Sequence, residues 1–139
     1  MRYKMLPLMV LGALLALLGC GGGQDYSDAV EINTKFVDAM ESYIGDIGKA
    51  ENADDVADAI EAYSQKIEEL APKMKSIAAK HPEWKDMAQV PEELKPIQEK
   101  AKQIASQIPN TFMKTMKYMA DDQVRDAHKR LQESMAKMQ

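Results

Sequence analysis

Between Val56 and Ile77 the apolar side chains follow one another at alternating steps of four and three: Val56, Ile60, Tyr63, Ile67, Leu70, Met74 and Ile77. In an α-helix that spacing places every member on one stripe, whereas in a strand the same residues would be scattered over both faces. A seam of this kind belongs to a helix packed at a shallow angle against helices of similar length. Asn52 is placed as its N-cap, with Asp54 and Asp55 in the first turn where negative charge suits the helix dipole. Pro72 is expected to bend the helix without ending it, since the seam continues past it. His81 precedes Pro82, which disfavours helical geometry at the histidine and sets the end near Lys80.

The rest of the chain follows the same period. Val30, Val37, Met40, Ile44 and Ile47 line a first helix that Gly48 and the residues Ala50–Asn52 bring to a stop. Leu94, Ile97, Ala101, Ile104 and Ile108 form a third seam after Pro91, a residue suited to a helix start. Pro109 and Asn110 are expected to break and recap the chain. A fourth helix then carries Phe112, Met116, Ala120, Val124, Leu131, Met135 and Met138, with Ala127 or His128 filling the gap. No alternating strand pattern competes, so the predicted fold is all-α, an antiparallel up-down-up-down four-helix bundle over residues 27–139. The stretch HPEWKDMAQVP is the longest connection, and it returns Trp84 to the end at which the first helix begins.

Ahead of this domain lies a segment of a different kind. Arg2 and Lys4 precede an uncharged apolar run from Met5 to Leu18, the layout of an export signal. The run is too short to cross a hydrocarbon layer of roughly 30 Å as a helix. It closes on Leu17, Leu18, Gly19 and Cys20, and Cys20 is the only cysteine in the chain. A lone thiol in an exported chain has no internal disulfide partner. The LLGC stretch resembles the lipobox of bacterial lipoproteins. That resemblance implies cleavage ahead of Cys20, a thioether diacylglycerol on its sulfur and an N-acyl chain, palmitate-like fatty acids holding the protein on a membrane. The expected organisation is a signal peptide at 1–19, a lipidated Cys20 with a flexible tether at 20–26, and the helical domain at 27–139. Gly21, rather than an aspartate, follows the cysteine, which resembles the pattern of lipoproteins sorted to the outer membrane. The expected location is the cell envelope, on the periplasmic side of the outer membrane in a Gram-negative host.

Charge narrows the partners. Of 18 basic side chains the mature chain loses Arg2 and Lys4, leaving 16 against 22 acidic ones, a net charge of −6. That balance argues against nucleic acid and against electrostatic docking to anionic lipid, both of which need clustered basic residues. The expected partners are therefore the membrane, through the covalent anchor, and an envelope protein.

Little in the chain points to catalysis. The two histidines, His81 and His128, lack a glutamate three residues before them, so the di-iron pattern of inward Glu-x-x-His pairs is missing. H-E-x-x-H, C-x-x-C-H and G-x-S-x-G are missing as well. The expected role is a structural or interaction module, with no enzymatic activity and no cofactor. A haem- or metal-binding bundle is the alternative. The stretch IGKAENADDVADAI resembles the helix-turn-helix opening of the periplasmic b-type four-helix cytochromes, which implies haem b held between a methionine on the first helix and a histidine on the last. In an antiparallel pair of helices His128 falls opposite position 37, one turn from Met40, and these two are the candidate haem ligands. Met113, Met116 and Met119 are spaced by three and form a candidate thioether site for Cu(I), a soft ion suited to sulfur. Methionine at helical spacing is otherwise core filling. Trp84 and Tyr118 are candidate anchors for a partner or for the headgroup level of a membrane.

Overall fold

The computed structural model describes residues 25–85 and 90–138. The segment expected to be a signal peptide, Cys20 and most of the expected tether lie outside the described residues. Among the described residues the chain is all-helical, without a strand. Five α-helices run in order: α1 (Ser27–Lys49), α2 (Ala53–Lys80), α3 (Lys95–Ala105), α4 (Ile108–Met116) and α5 (Asp122–Ala136). Among the described residues two short 3-10 turns, Pro82–Lys85 and Glu92–Leu94, lie between α2 and α3. No described helix is long and apolar enough to cross a membrane.

The fold is organised on α2. Asn52 caps it as the sequence predicts, its side-chain oxygen accepting from the Asp55 amide at 2.9 Å. Asp55 replies, its carboxylate accepting from the Glu51 amide at 2.9 Å. One of the four otherwise unpaired amides at this end, that of Asp55, is thereby satisfied, and the Glu51 amide just outside the helix is held to its first turn. Val56, Ile60 and Ile67 of the predicted seam are fully buried, and Tyr63 and Leu70 nearly so. The helix passes through Pro72 and ends where His81 closes it, its amide donating to the Ile77 carbonyl at 3.0 Å. A second stripe on α2, made of Ala57, Ser64 and Ala71, is also buried. Small side chains at these positions allow a neighbour close, and α5 packs there.

Ion pairs and hydrogen bonds between helices fix the directions. Lys100 reaches Asp38 and Glu41, Lys114 reaches the Gly48 carbonyl and the Tyr118 hydroxyl reaches the Glu51 carbonyl, so α3 and α4 rise in parallel with α1. Arg130 pairs with Glu61 and Lys137 with Glu68, so α5 runs parallel to α2. The three-residue link after Lys49 makes α1 and α2 antiparallel. The main core joins Ile47, Val56, Ile60, Ile67, Val124, Ala127 and Leu131, and a smaller cluster of Val37, Ile44 and Ile104 joins α1 to α3.

Five helices stand where four were expected. Pro109 falls in the first turn of α4, where its missing amide costs nothing and its fixed φ suits a helix start. The chain is interrupted a second time after Met116, and the predicted fourth helix is cut there. Asp121 restarts it, one carboxylate oxygen accepting from the amides of Gln123 at 2.9 Å and Val124 at 3.4 Å. Phe112 and Met116 therefore do not share a helix with Val124 and Leu131. Each helix has its own phase, and the core takes only the second pair.

Candidate functional site

Helix α4 reads Ile-Pro-Asn-Thr-Phe-Met-Lys-Thr-Met, and its buried members are the two threonines. Thr111 is 7% exposed and Thr115 is 3% exposed. Their hydroxyls bond back along the helix, Thr111 donating to the Gln107 carbonyl at 3.1 Å and Thr115 to the Thr111 carbonyl at 3.0 Å. Satisfied in this way, two small polar side chains can lie against α1 without a desolvation penalty from unpaired hydroxyls.

The apolar side chains of α4 point elsewhere. Ile108 is 46% exposed, Phe112 56%, Met113 63% and Met116 50%. At about 100° per residue, Ile108, Phe112, Met116 and Met113 sweep an arc of about 140° that starts beside the buried threonines and turns outward. The helix is held firmly behind this arc. Lys114 donates to the Gly48 carbonyl at 2.7 Å, at the C-terminal end of α1 where carbonyls lack intrahelical partners and carry partial negative charge. The Tyr118 hydroxyl donates to the Glu51 carbonyl at 3.1 Å just beyond. The face is thus a fixed part of the fold.

A groove of about 520 Å³ lies between α1 and α2, with Ala39, Tyr43, Ala59 and Tyr63 at its base and Asp46 and Lys66 at its rim. Tyr43 and Tyr63 stack there with ring centroids 4.7 Å apart. Burial, with Tyr43 adding a smaller repulsion, pushes the Tyr63 phenol up to about 12. Burial also raises Tyr43, and a hydrogen bond with Thr115 opposes the rise. Both rings remain neutral phenols at physiological pH, so neither serves as a base there.

The other sequence-predicted residues are dispersed. Met40 on α1 is half-buried against both apolar clusters. His128 on α5 is half-buried, with Nε2 3.2 Å from the Gln132 side-chain nitrogen. Met113 and Met116 lie on the open face of α4, while Met119, in the following turn, packs on the main core. Trp84 stacks on His81 with centroids 3.9 Å apart and planes 4° from parallel, and Tyr26 closes the group 5.6 Å from Trp84. This places Trp84 beside the start of α1, the end that the sequence assigns to it. Among the described residues no three histidine, cysteine, aspartate or glutamate side chains gather as a metal site.

The open face of α4 is the feature that the sequence reading missed, because it assigned Phe112 and Met116 to the core. Two signals mark it. Thr111 and Thr115 occur one turn apart on the opposite flank, and Asp121 with Asp122 has the form of a cap directly before Val124.

Compared with protein-family models, with curated proteins and with solved structures, the chain has no significant match.

Proposed function

We propose that this protein is an envelope lipoprotein, anchored through acyl chains on Cys20, whose helical domain works as a non-catalytic interaction module. In this reading α3 and α4 together take the place of the third rod of an antiparallel four-helix bundle, and the outward side of α4 is the working surface. The observation that carries it is the concentration of exposed large apolar side chains: among the described residues, four of the five lie on one nine-residue helix. Scattered apolar residues on a surface need no explanation, but a contiguous set on a braced helix marks a contact face. The LLGC stretch at the end of the apolar leader supplies the anchor in this proposal, on the membrane that faces the periplasm.

Metabolic labelling with a fatty acid tests the anchor. The wild-type chain is expected to take up label and lose its leader, and Cys20→Ser is expected to do neither; labelling of that variant at the wild-type level refutes lipidation at Cys20. A photo-crosslinking residue at position 112 tests the face. It is expected to give products that the same residue at position 58, on the exposed side of α2, does not give. Equal yields at the two positions would remove α4 from the proposal.

A further inference from the structure

The open face of α4 lies in the middle of an unusual stretch. From Lys100 to Ala120 the sequence holds four lysines and no aspartate or glutamate, in a chain that carries 22 acidic residues. The net negative charge of the whole chain does not describe this segment. Lys100 is neutralised by Asp38 and Glu41, each 2.8 Å away, and Lys102 pairs with Glu99 at 2.9 Å. Lys114 and Lys117 have no carboxylate partner among the described residues. Around α4, Lys117 falls about 40° beyond Met113, so the apolar arc is bordered by a cation and contains no anion. Exposed apolar side chains edged by unpaired lysine form the pattern of a helix that lies in a membrane interface.

We infer that the occupant of this face is an anionic phospholipid surface, with Ile108, Phe112, Met113 and Met116 entering the boundary between headgroups and acyl chains and Lys117 meeting lipid phosphates. The inference deepens the anchored reading and rests on it for its geometry. The described chain begins beside the start of α1, while α4 is fastened near Gly48 at the other end of that helix. The two points are about 30 Å apart at 1.5 Å per residue. Attached at both, the domain lies along the bilayer instead of standing away from it. A protein partner fits less well: α4 is only about 14 Å long, and a stable protein contact takes about 800 Å² from each side.

Spin labelling of the full processed chain tests this. If Cys20 is lipidated, a cysteine at position 112 is the only free thiol, and Phe112 is exposed enough to replace without disturbing the core. The labelled Phe112→Cys protein is added to vesicles of phosphatidylethanolamine with phosphatidylglycerol and, separately, of phosphatidylcholine alone. On the anionic vesicles the ratio of oxygen to nickel-chelate accessibility is expected to be several-fold higher at position 112 than in a control labelled through Asp58→Cys. Lys117→Glu is expected to lower that ratio. Equal accessibility at 112 and 58, or spin–spin broadening that shows a second copy on α4, overturns the inference. Flotation separates the two readings. A chain that floats on both vesicle types with a water-exposed label keeps the anchor and loses the α4 contact. One that floats on anionic vesicles alone keeps the α4 contact and loses the anchor, and one that floats on neither refutes both.

Discussion

Tyr43 and Tyr63 stack almost face to face between α1 and α2, their ring centroids 4.7 Å apart and their planes 15° from parallel. The stack shields both phenols, and burial first, then Tyr43, raises Tyr63 from 10.0 to about 12. The folded state therefore holds this proton more tightly than the unfolded chain does. Its contribution to stability is whole below pH 10 and is lost as the pH rises through about 12. Urea midpoints are expected to change little from neutral pH up to the ordinary tyrosine range and then to fall across that interval. Tyr63→Phe keeps the stacking and removes the titrating group, so the fall should become shallower; an unchanged slope would show that Tyr63 is not its source. Some slope should persist in that variant, because Tyr43 shifts in the same direction.

Ile60 and Phe112 are both large and apolar, yet they should answer truncation in opposite ways. Ile60 is fully buried in the main core, and Ile60→Ala should cost about 2–5 kcal/mol from lost transfer energy and the cavity left behind. Phe112 is more than half exposed, and Phe112→Ala should stay within about 0.5 kcal/mol. Urea denaturation of the two variants measures the difference. A loss at Phe112 comparable to that at Ile60 would mean that α4 turns its aromatic side chain into the fold.

That contrast marks the limit of what the sequence shows. The α2 seam could be read directly because a long helix with partners along most of its length buries one stripe: Val56, Ile60, Tyr63, Ile67 and Leu70 are buried, and Met74 and Ile77 at its C-terminal end are half-buried. Asn52 could be read because capping is local chemistry within three residues. The α4 face could not be read from periodicity. Phe112, Met116 and Val124 keep helical spacing on paper, but the turn at 117–121 resets the phase between them. Hydrophobic period records which side chains share a stripe and is silent on whether the stripe faces inward. At α4 the inward side goes to Thr111 and Thr115, whose hydroxyls are satisfied on their own helix.

The two caps that frame the far end of the fold should be worth similar amounts. Asn52 starts α2 and Asp121 starts α5, each through a side-chain oxygen on first-turn amides. Replacing either by alanine should cost about 1 kcal/mol, within a range of about 0.5–2. Amide exchange separates the local effects. Asn52→Ala should speed exchange at Asp55, and Asp121→Ala should speed it at Gln123 and Val124. Protection left unchanged at those amides would show that the caps do not hold the helix ends in solution.

Thr115 offers the sharpest test of why α4 turns its apolar side outward. Its hydroxyl is buried, donates to the Thr111 carbonyl at 3.0 Å and also reaches the Tyr43 phenol. Valine has nearly the same shape and leaves the Thr111 carbonyl its place in the helical ladder, so that acceptor is not orphaned by Thr115→Val and only the Tyr43 phenol loses a partner. Stability at neutral pH should therefore remain within about 1 kcal/mol of wild type, while the Tyr43 phenol, losing the bond that lowers it, should titrate at higher pH. Tyrosinate absorbance follows the second effect and urea denaturation the first. If both hold, the α1 contact asks only for small, self-satisfied side chains, and an apolar residue would serve there equally well. The Thr115 hydroxyl then does not dictate the outward placement of Phe112, Met113 and Met116. A loss well above 1 kcal/mol in Thr115→Val would reverse that conclusion, making the threonines the reason the helix is oriented as it is.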